Sequence, residues 1–249
     1  MQSKGHRGKS TYGRTLPRIK YDKLEGTLIV IEGADASGRS TQVEIIKNWL
    51  ERLGYAAVSF GLKRSQLIAE EIEEAQRGNI LGPVTRSLFY ATDFYDQQEN
   101  VVVPALRSGM VVIADRYIYT LMARDLVRGA DPGWVRNLYA AALVPDAIYY
   151  LKVSPQNLLE RNFAKRDTLD HWEAGMDIGL SRDMFESFHK YQRLLAKQFK
   201  AMEKEYPFVV VNGNKGVEAI TRDFAQHLVK VLQIPEGRLK DAHELVGRV

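Results

Sequence analysis

The sequence of 249 residues contains no cysteine. Its composition therefore excludes disulfide bridges, thiolate zinc sites and a cysteine nucleophile. No apolar run approaches the roughly 20 residues that a membrane-spanning helix needs, and the polar N-terminus lacks the apolar core of a secretion signal. We therefore expect a cytoplasmic protein with no membrane partner, long enough to bury a core without covalent help.

Charge is unevenly distributed along the chain. Residues 1–25 carry seven lysines and arginines but two acidic residues, so this tail has a net charge of +5 and the remaining chain one of −1. A basic arm can bind nucleic acid, but this one has no amphipathic period, and nucleic-acid binding is not expected. We predict a disordered, solvated tail that can be removed without loss of activity.

From Thr27 onward, short β-branched runs alternate with longer segments of helical period, the pattern of a parallel sheet covered by helices. We predict an α/β fold, a doubly wound five-stranded parallel sheet with helices on both faces. One domain would span residues 26–232, followed by an extension over 233–249. The predicted strands are 27–32, 56–60, 110–114, 147–151 and 208–211, and the predicted helices include 41–53, 67–77, 85–107 and 182–205.

The first predicted strand leads into a glycine-containing loop, and Thr41 opens the helical stretch that follows. The loop reads Gly33-Ala34-Asp35-Ala36-Ser37-Gly38-Arg39-Ser40. A strand, a glycine loop and a helix in this order indicate a phosphate-binding loop. The two glycines let the backbone curl, so that the amides of residues 36–41 can point at phosphate oxygens beside the positive end of the helix dipole.

Two side chains of this loop would act on the phosphates. Ser40 supplies the hydroxyl that would ligate Mg²⁺, and the side chain at position 39 should reach the β- and γ-phosphates of ATP. Arg39 stands where the usual pattern has lysine, and its planar fork is not interchangeable with a compact ammonium. An ordinary glycine turn before a helix is the alternative, and the pattern leaves open whether Arg39 supports full catalysis.

Further motifs follow later predicted strands and helices. Asp115-Arg116-Tyr117 and Thr120 follow the third strand, Leu88-Phe89-Tyr90-Ala91 lies upstream, and Val144-Pro145-Asp146 and Leu158-Leu159-Glu160-Arg161 lie downstream. Together with the glycine loop, and in this order, these motifs resemble thymidylate kinase over roughly residues 26–232. The resemblance implies transfer of a phosphoryl group from ATP·Mg²⁺ to a nucleoside monophosphate, with dTMP as the leading acceptor, by a homodimer.

The resemblance also implies roles for single residues. Asp115 would hold Mg²⁺ and Arg116 the acceptor phosphate. Asp35 would contact the acceptor sugar, and Phe89 and Tyr117 would belong to the acceptor site. A mobile lid over about 161–181 would bring cations, Arg161 and Arg166, over the transferring phosphoryl group.

Each of these roles has a simpler alternative. Asp115 and Arg116 could form a surface pair that caps the next helix, and Asp35 could be a turn residue. Phe89 shares its predicted helix with other apolar residues, which suits core packing equally well. Cations near a helix C-terminus, such as those of the presumed lid, also favour the helix dipole.

The sequence departs from the family mainly on the acceptor side. The arginine expected after the second strand is absent, and Lys63 or Arg64 could replace it. The family has an arginine soon after the segment that corresponds to Phe89-Tyr90-Ala91, whereas this sequence has Asp93 there. The negative charge of Asp93 would repel the acceptor phosphate unless it is paired. Arg124 and Asp125 replace the neutral polar residues expected near the base. Another acceptor, a polyphosphate donor and a nucleotide-binding regulator without catalysis therefore remain as alternatives.

Overall fold

The computed structural model describes residues 8–78, 81–165 and 169–235. These residues contain the strands β1 (Thr27–Gly33), β2 (Ala57–Gly61), β3 (Val111–Asp115), β4 (Ala147–Lys152) and β5 (Phe208–Asn212). The helices are α1 (Arg39–Arg52), α2 (Ala69–Arg77), α3 (Pro83–Gln97), α4 (Val103–Arg107), α5 (Ile118–Val127), α6 (Pro132–Leu138), α7 (Pro155–Lys165), α8 (Met184–Met202) and α9 (Val217–Val231).

The five strands pair in parallel in the order β2-β3-β1-β4-β5, which confirms the predicted doubly wound sheet. The predicted strands agree with the observed ones to within one residue at each end. β1 lies at the centre, with Ile31 opposite Asp115 of β3. The carboxyl ends of β1 and β3 therefore meet at one edge of the sheet, where the glycine loop begins.

The central strand is buried on both faces because helices cover the sheet on both sides. Leu28 and Val30 pack into a cluster with residues of α3, α5 and α8, whereas Ile29 and Ile31 pack into a second cluster with α1 and α9. A run of apolar residues without alternation is typical of such a strand. Among the described helices, none combines the length and apolar character needed to cross a bilayer.

The helix predicted over 85–107 is interrupted. A π-helical segment, Gln98–Val102, separates α3 from α4. Pro104 lacks a backbone N–H, so the regular helix cannot continue through it with all its hydrogen bonds, and a wider turn absorbs the mismatch. The Gln98 side chain also donates to the carbonyl oxygen of Ala141 and accepts from the amide of Leu143, which ties this segment to the chain that precedes β4.

The part of the presumed lid that the structure describes packs against α8. Gly175 and Gly179 both adopt left-handed conformations, with φ of 64° and 65°. A Cβ at Gly175 would also lie 2.7 Å from the ring of Tyr191. Glycine is therefore required at position 175, both for backbone conformation and for close packing on α8.

The basic tail is not disordered over its described part, contrary to the sequence prediction. An antiparallel bridge joins Thr11 to Leu143, and the amides of Tyr12 and Arg14 donate to the carbonyls of Ala142 and Ala140 at 3.1 and 2.9 Å. We call residues 8–25 the N-terminal arm.

The arm docks because its apolar residues face the domain while most of its charges face solvent. Leu24 is buried, and the Tyr12 hydroxyl shares a hydrogen bond with that of Tyr119 on α5. Lys9 forms an ion pair with Asp146. The prediction of disorder relied on charge content alone. It was wrong for this segment because a few apolar side chains suffice to dock it on the domain.

Deleting residues 1–14 is expected to destabilise the domain. The deletion removes the arm's pairing with residues 140–143 and the Lys9–Asp146 ion pair, a loss of roughly 2 kcal/mol or about 4–8 °C in melting temperature. Calorimetry of the full chain and the truncation measures this shift. Lys20→Ala, which removes an exposed arm charge alone, should leave the melting temperature unchanged, and an unshifted truncation would show that the docked arm contributes nothing.

Candidate functional site

The loop between β1 and α1 has the backbone of an anion-binding nest. Ala36 and Gly38 adopt left-handed conformations, with φ of 59° and 91°, which help to turn neighbouring amides inward. A Cβ on Gly33 would lie 2.9 Å from the carbonyl oxygen of Leu151, so the loop start requires glycine. Gly38, the N-cap of α1, has no side chain that could cap the first turn, and helix N-termini of this kind bind phosphate readily.

The side chains predicted on this loop differ in exposure. Ser40 and Thr41 are exposed in the first turn of α1, whereas Ser37 is buried. The first two can therefore meet a ligand at the helix N-terminus. The backbone amide of Ser37 donates to the carbonyl of Ala34 at 3.2 Å, which closes the turn of the loop.

Arg39 does not extend from the loop as the sequence predicts. Its guanidinium is buried and folds back, with Nε donating to Oδ1 of Asp115 at 2.8 Å and Nη1 donating to the carbonyls of Ala34, at 2.7 Å, and Gly33. This network ties the loop to the end of β3. The structure therefore places Arg39 as an internal clamp beneath the loop.

Asp115 contacts residues predicted for both substrates, Ser40 on the side of the phosphate donor and Arg64 on the side of the phosphate acceptor. Its Oδ2 accepts from the Ser40 hydroxyl at 2.6 Å and from the Arg64 guanidinium at 3.2 Å. Burial raises the pKa of Asp115, but the charge of Arg39 and the hydrogen bonds from Ser40 and Arg39 outweigh it and hold the pKa below its ordinary value. The carboxylate is therefore ionised at neutral pH.

Asp35, on the loop itself, is held by two arginines. Arg116 forms an ion pair with one of its carboxylate oxygens, and Arg124 of α5 donates to the other at 2.7 Å. Burial and the charge of Arg124 lower the pKa of Arg116 to about 9, which leaves this guanidinium charged at neutral pH. Arg124, noted in the sequence as a departure from the family, thus has a defined partner.

A cationic cavity of about 120 Å³ opens beside this cluster. Acidic and neutral residues complete its lining, among them Asp35 and Tyr90. Positive charge exceeds negative charge, so the cavity suits an anion that also carries polar groups. Its cations are Lys63, Arg86, Arg116, Arg124 and Arg128, and its acids are Asp35, Asp170 and Glu173.

Arg86 and Trp172 form a part of this cavity that the sequence analysis missed. Arg86 is buried, and its guanidinium carbon lies 5.4 Å from the centre of the Trp172 ring. Its Nη2 has no hydrogen-bond partner among the described residues, since Oδ1 of Asp125 lies 3.7 Å from it, and Oδ2 of Asp177 lies 3.7 Å from Nη1. The sequence does contain one indication of this role. Arg86 precedes Tyr90 by one helical turn, so it lies on the same face of α3 as this buried residue.

Two residues assigned to the acceptor lie elsewhere. Tyr117 is buried in the core, where its hydroxyl donates to the carbonyl of Leu143 and its ring packs on Phe94. Phe89 is half-buried and packs against the same core cluster, and the neighbouring Tyr90 lines the cavity in its place. The alternative of core packing therefore describes Phe89 better than base stacking does.

Asp93 shapes the acceptor side without opposing a phosphate. Its carboxylate accepts from the backbone amides of Lys63, Arg64 and Ser65 at 2.8, 3.0 and 2.9 Å. It thereby anchors the turn after β2, which presents Lys63 to the cavity and Arg64 to Asp115. The predicted repulsion does not arise, because the charge is paired with three amides.

Arg161, one of the lid cations of the sequence prediction, does not line the cavity. Arg161 donates to the carbonyls of Ser37, at 3.0 Å, and Gly213, at 2.8 Å, and so bridges the glycine loop to the turn after β5. Arg166 lies outside the described residues. Trp172 and Glu173, from the described part of the lid, line the cavity instead.

Comparisons with known proteins identify a family and several relatives of this chain. The sequence model of the family described as thymidylate kinase matches residues 31–224. "Probable thymidylate kinase 2" of Saccharolobus solfataricus is 37% identical over 206 residues, 82% of this chain and 96% of that protein. "Thymidylate kinase" of Caldanaerobacter subterraneus is 29% identical over 208 residues, 79% of this chain and 92% of that protein.

Asp115→Asn is expected to destabilise the fold at neutral pH by about 1–3 kcal/mol, because the buried Arg39 loses its partner charge. The folded-state pKa of Asp115 is below its ordinary value, so its ionisation stabilises the fold above that ordinary value. This stabilisation is lost as pH falls through the folded-state pKa. The difference between wild type and variant should therefore shrink below about pH 4.

Urea denaturation at about pH 7 and about pH 3.5 measures this difference on both sides of the ordinary aspartate pKa. Asp22→Asn, at an exposed position of the arm, is the matched control. An Asp115→Asn penalty that stays constant with pH would contradict the buried ion pair.

Proposed function

Because the chain belongs to the thymidylate kinase family, we propose that it transfers the γ-phosphoryl group of ATP to dTMP and forms dTDP. One observation supports this most directly. Asp35 belongs to the glycine loop and also lines the cationic cavity. A donor bound by the loop and an acceptor in the cavity would therefore lie side by side, as direct phosphoryl transfer requires.

The loop is proposed to bind the ATP phosphates through backbone amides of residues 36–41 at the start of α1. Arg161, between the loop and the turn after β5, supports the loop on its other side. Arg39 acts from beneath, because its guanidinium holds Asp115 and two loop carbonyls. We propose that its charge stabilises the loaded loop without a direct contact to the transferring group.

Ser40 and Asp115 are the proposed Mg²⁺ ligands. Their side-chain oxygens lie 2.6 Å apart, and hydroxyl and carboxylate oxygens suit this hard cation. No group of three or more acidic or histidine side chains that could hold a metal occurs in the described part of the chain, and Mg²⁺ usually takes its remaining ligands from phosphates and water. Bound there, Mg²⁺ would neutralise charge on the phosphates.

The acceptor phosphate is proposed to bind Arg116, with Arg64 and Lys63 nearby. Arg116 lines the cavity beside Asp35, and Arg64 pairs with Asp115. Cations at this position would draw the acceptor phosphate toward the loop and disperse the charge that develops during transfer. Asp35, already oriented by two arginines, is the proposed contact of the acceptor sugar.

We propose that Arg86 recognises the base of the acceptor nucleotide. It has donors only, and its Nη2 has no hydrogen-bond partner within residues 8–78, 81–165 and 169–235, so it would favour a carbonyl oxygen over an exocyclic amine. The Trp172 ring beside it offers an apolar face for a base. Thymine carries a carbonyl at the position where cytosine carries an amine, which makes dTMP the better fit.

A homodimer in the cytoplasm, where nucleotides are metabolised, is the proposed working form. Val84 and Leu88 lie one turn apart on α3, and both are largely exposed. Exposed apolar residues at this spacing form a stripe that a second copy could cover. The molecular mass in solution tests this assembly.

An ATP-consumption assay over a panel of nucleoside monophosphates tests the proposed function. We expect turnover with dTMP above all other acceptors. Asp115→Asn should lose about 100-fold or more in turnover while ATP binding persists, because the loop amides remain. ATP binding without turnover of any acceptor would favour the regulatory alternative, and turnover with polyphosphate as donor would favour a related kinase.

Arg86→Gln tests the proposed base contact. Glutamine offers both a donor and an acceptor, so kcat/KM for dTMP should fall about 10- to 100-fold while the preference for dTMP over dCMP narrows. Arg77→Gln, at an exposed position of α2, is the control. An equal loss for dTMP and dCMP would assign Arg86 to the fold and remove it from base recognition.

A further inference from the structure

Glu32 is a fully buried carboxylate on the central strand that none of the preceding roles uses. Along β1 it shares a face with Leu28 and Val30, because side chains alternate in a strand. This face packs against α5. Burying a carboxylate is costly unless hydrogen bonds compensate it, so its partners indicate its function.

The hydrogen bonds that Glu32 accepts within the described residues come from one short segment after β3. Oε1 accepts from the amide of Tyr117 at 2.9 Å and from the amide of Thr120 at 3.1 Å, and Oε2 accepts from the Thr120 hydroxyl. Tyr117 is the N-cap of α5 and provides no side-chain cap of its own. Glu32 therefore caps α5 from a different element of the fold.

The segment that Glu32 holds includes an unfavourable backbone conformation. Arg116 has a φ of 72°, in the left-handed region that a non-glycine residue rarely adopts. Its amide donates to the carbonyl of Ile31 at 3.0 Å, and the next amide donates to Glu32. Two successive residues of β1 therefore fix this turn, and conformations of this kind persist only where their surroundings impose them.

The turn determines where two side chains of the site point. It places the Asp115 carboxylate against Arg39 and Ser40, and it directs the Arg116 guanidinium to Asp35 and the cavity. Without the restraint from Glu32, Arg116 could relax to an ordinary φ. Its guanidinium would then leave the cavity.

We propose that Glu32 is a positioning residue for phosphoryl transfer, which holds the Asp115–Tyr117 turn in the one conformation that presents Arg116 to the acceptor. The role rests on the proposed function, because Arg116 acts there on the acceptor phosphate. Glu32 itself contacts neither substrate. Its removal should therefore affect the acceptor side and spare ATP binding.

Glu32→Gln is the first test, since it keeps the shape and replaces one accepting oxygen with an amide nitrogen that cannot accept a hydrogen bond. We expect kcat/KM for dTMP to fall by about 10- to 100-fold, the scale of a misplaced catalytic group, with KM for ATP unchanged. Val30→Ala is the matched control, because it opens a cavity on the same buried face of β1 and removes no polar side-chain group. It should lower stability and leave both kinetic parameters unchanged.

Two further measurements separate positioning from general stability. In an Arg116→Ala background, Glu32→Gln should cause little additional loss of kcat/KM, because both changes remove the same placed guanidinium. Amide hydrogen exchange over residues 115–121 should accelerate in Glu32→Gln and not in Val30→Ala.

Additive losses with Arg116→Ala, unchanged kinetics, or an ATP and dTMP defect of equal size would each overturn the proposal. A wild-type chain that phosphorylates no acceptor would overturn the proposed function instead. Amide exchange would still decide whether Glu32 holds the turn, because it is measured without turnover.

Discussion

The buried ion pair between Arg39 and Asp115 is the interaction on which the site depends. It joins the first residue of α1 to the last residue of β3, and the carbonyls of the glycine loop share the same guanidinium. A buried pair of this kind is weak evidence for stability but a strong geometric restraint, because Arg39 without Asp115 would be a buried charge that has lost its ion-pair partner. Loop, strand end and helix start therefore keep one mutual arrangement.

The acceptor side is built by the same means, with acids inside the fold orienting cations toward the cavity. Asp35 receives two arginines, and Asp93 receives three amides of the turn that carries Lys63 and Arg64. Most cations of the cavity are therefore already held in place by ion pairs or hydrogen bonds. Preorganised charge costs no reorganisation when a ligand arrives, which is the main source of electrostatic catalysis.

Sequence reasoning located the sheet and the loop because both depend on local pattern, namely β-branched runs and glycine spacing. It could not locate the cavity walls, since Arg86 and Trp172 are far apart in sequence and meet only through the packing of α3 and the lid. Tyr117 was misassigned for a related reason. It follows two site residues in the chain, but the left-handed turn at Arg116 and the start of α5 send its side chain into the core.

The docked N-terminal arm has a consequence for the order of folding. Lys9 and Asp146 are separated by 137 positions, and the bridge from Thr11 reaches Leu143 across a similar interval. During synthesis the arm is the first of these segments to leave the ribosome, yet its docking surface does not exist until more than half the chain has followed. Contacts of such long range close late. The N-terminal arm can thus reach its native place only after residues 143–146 have been synthesised.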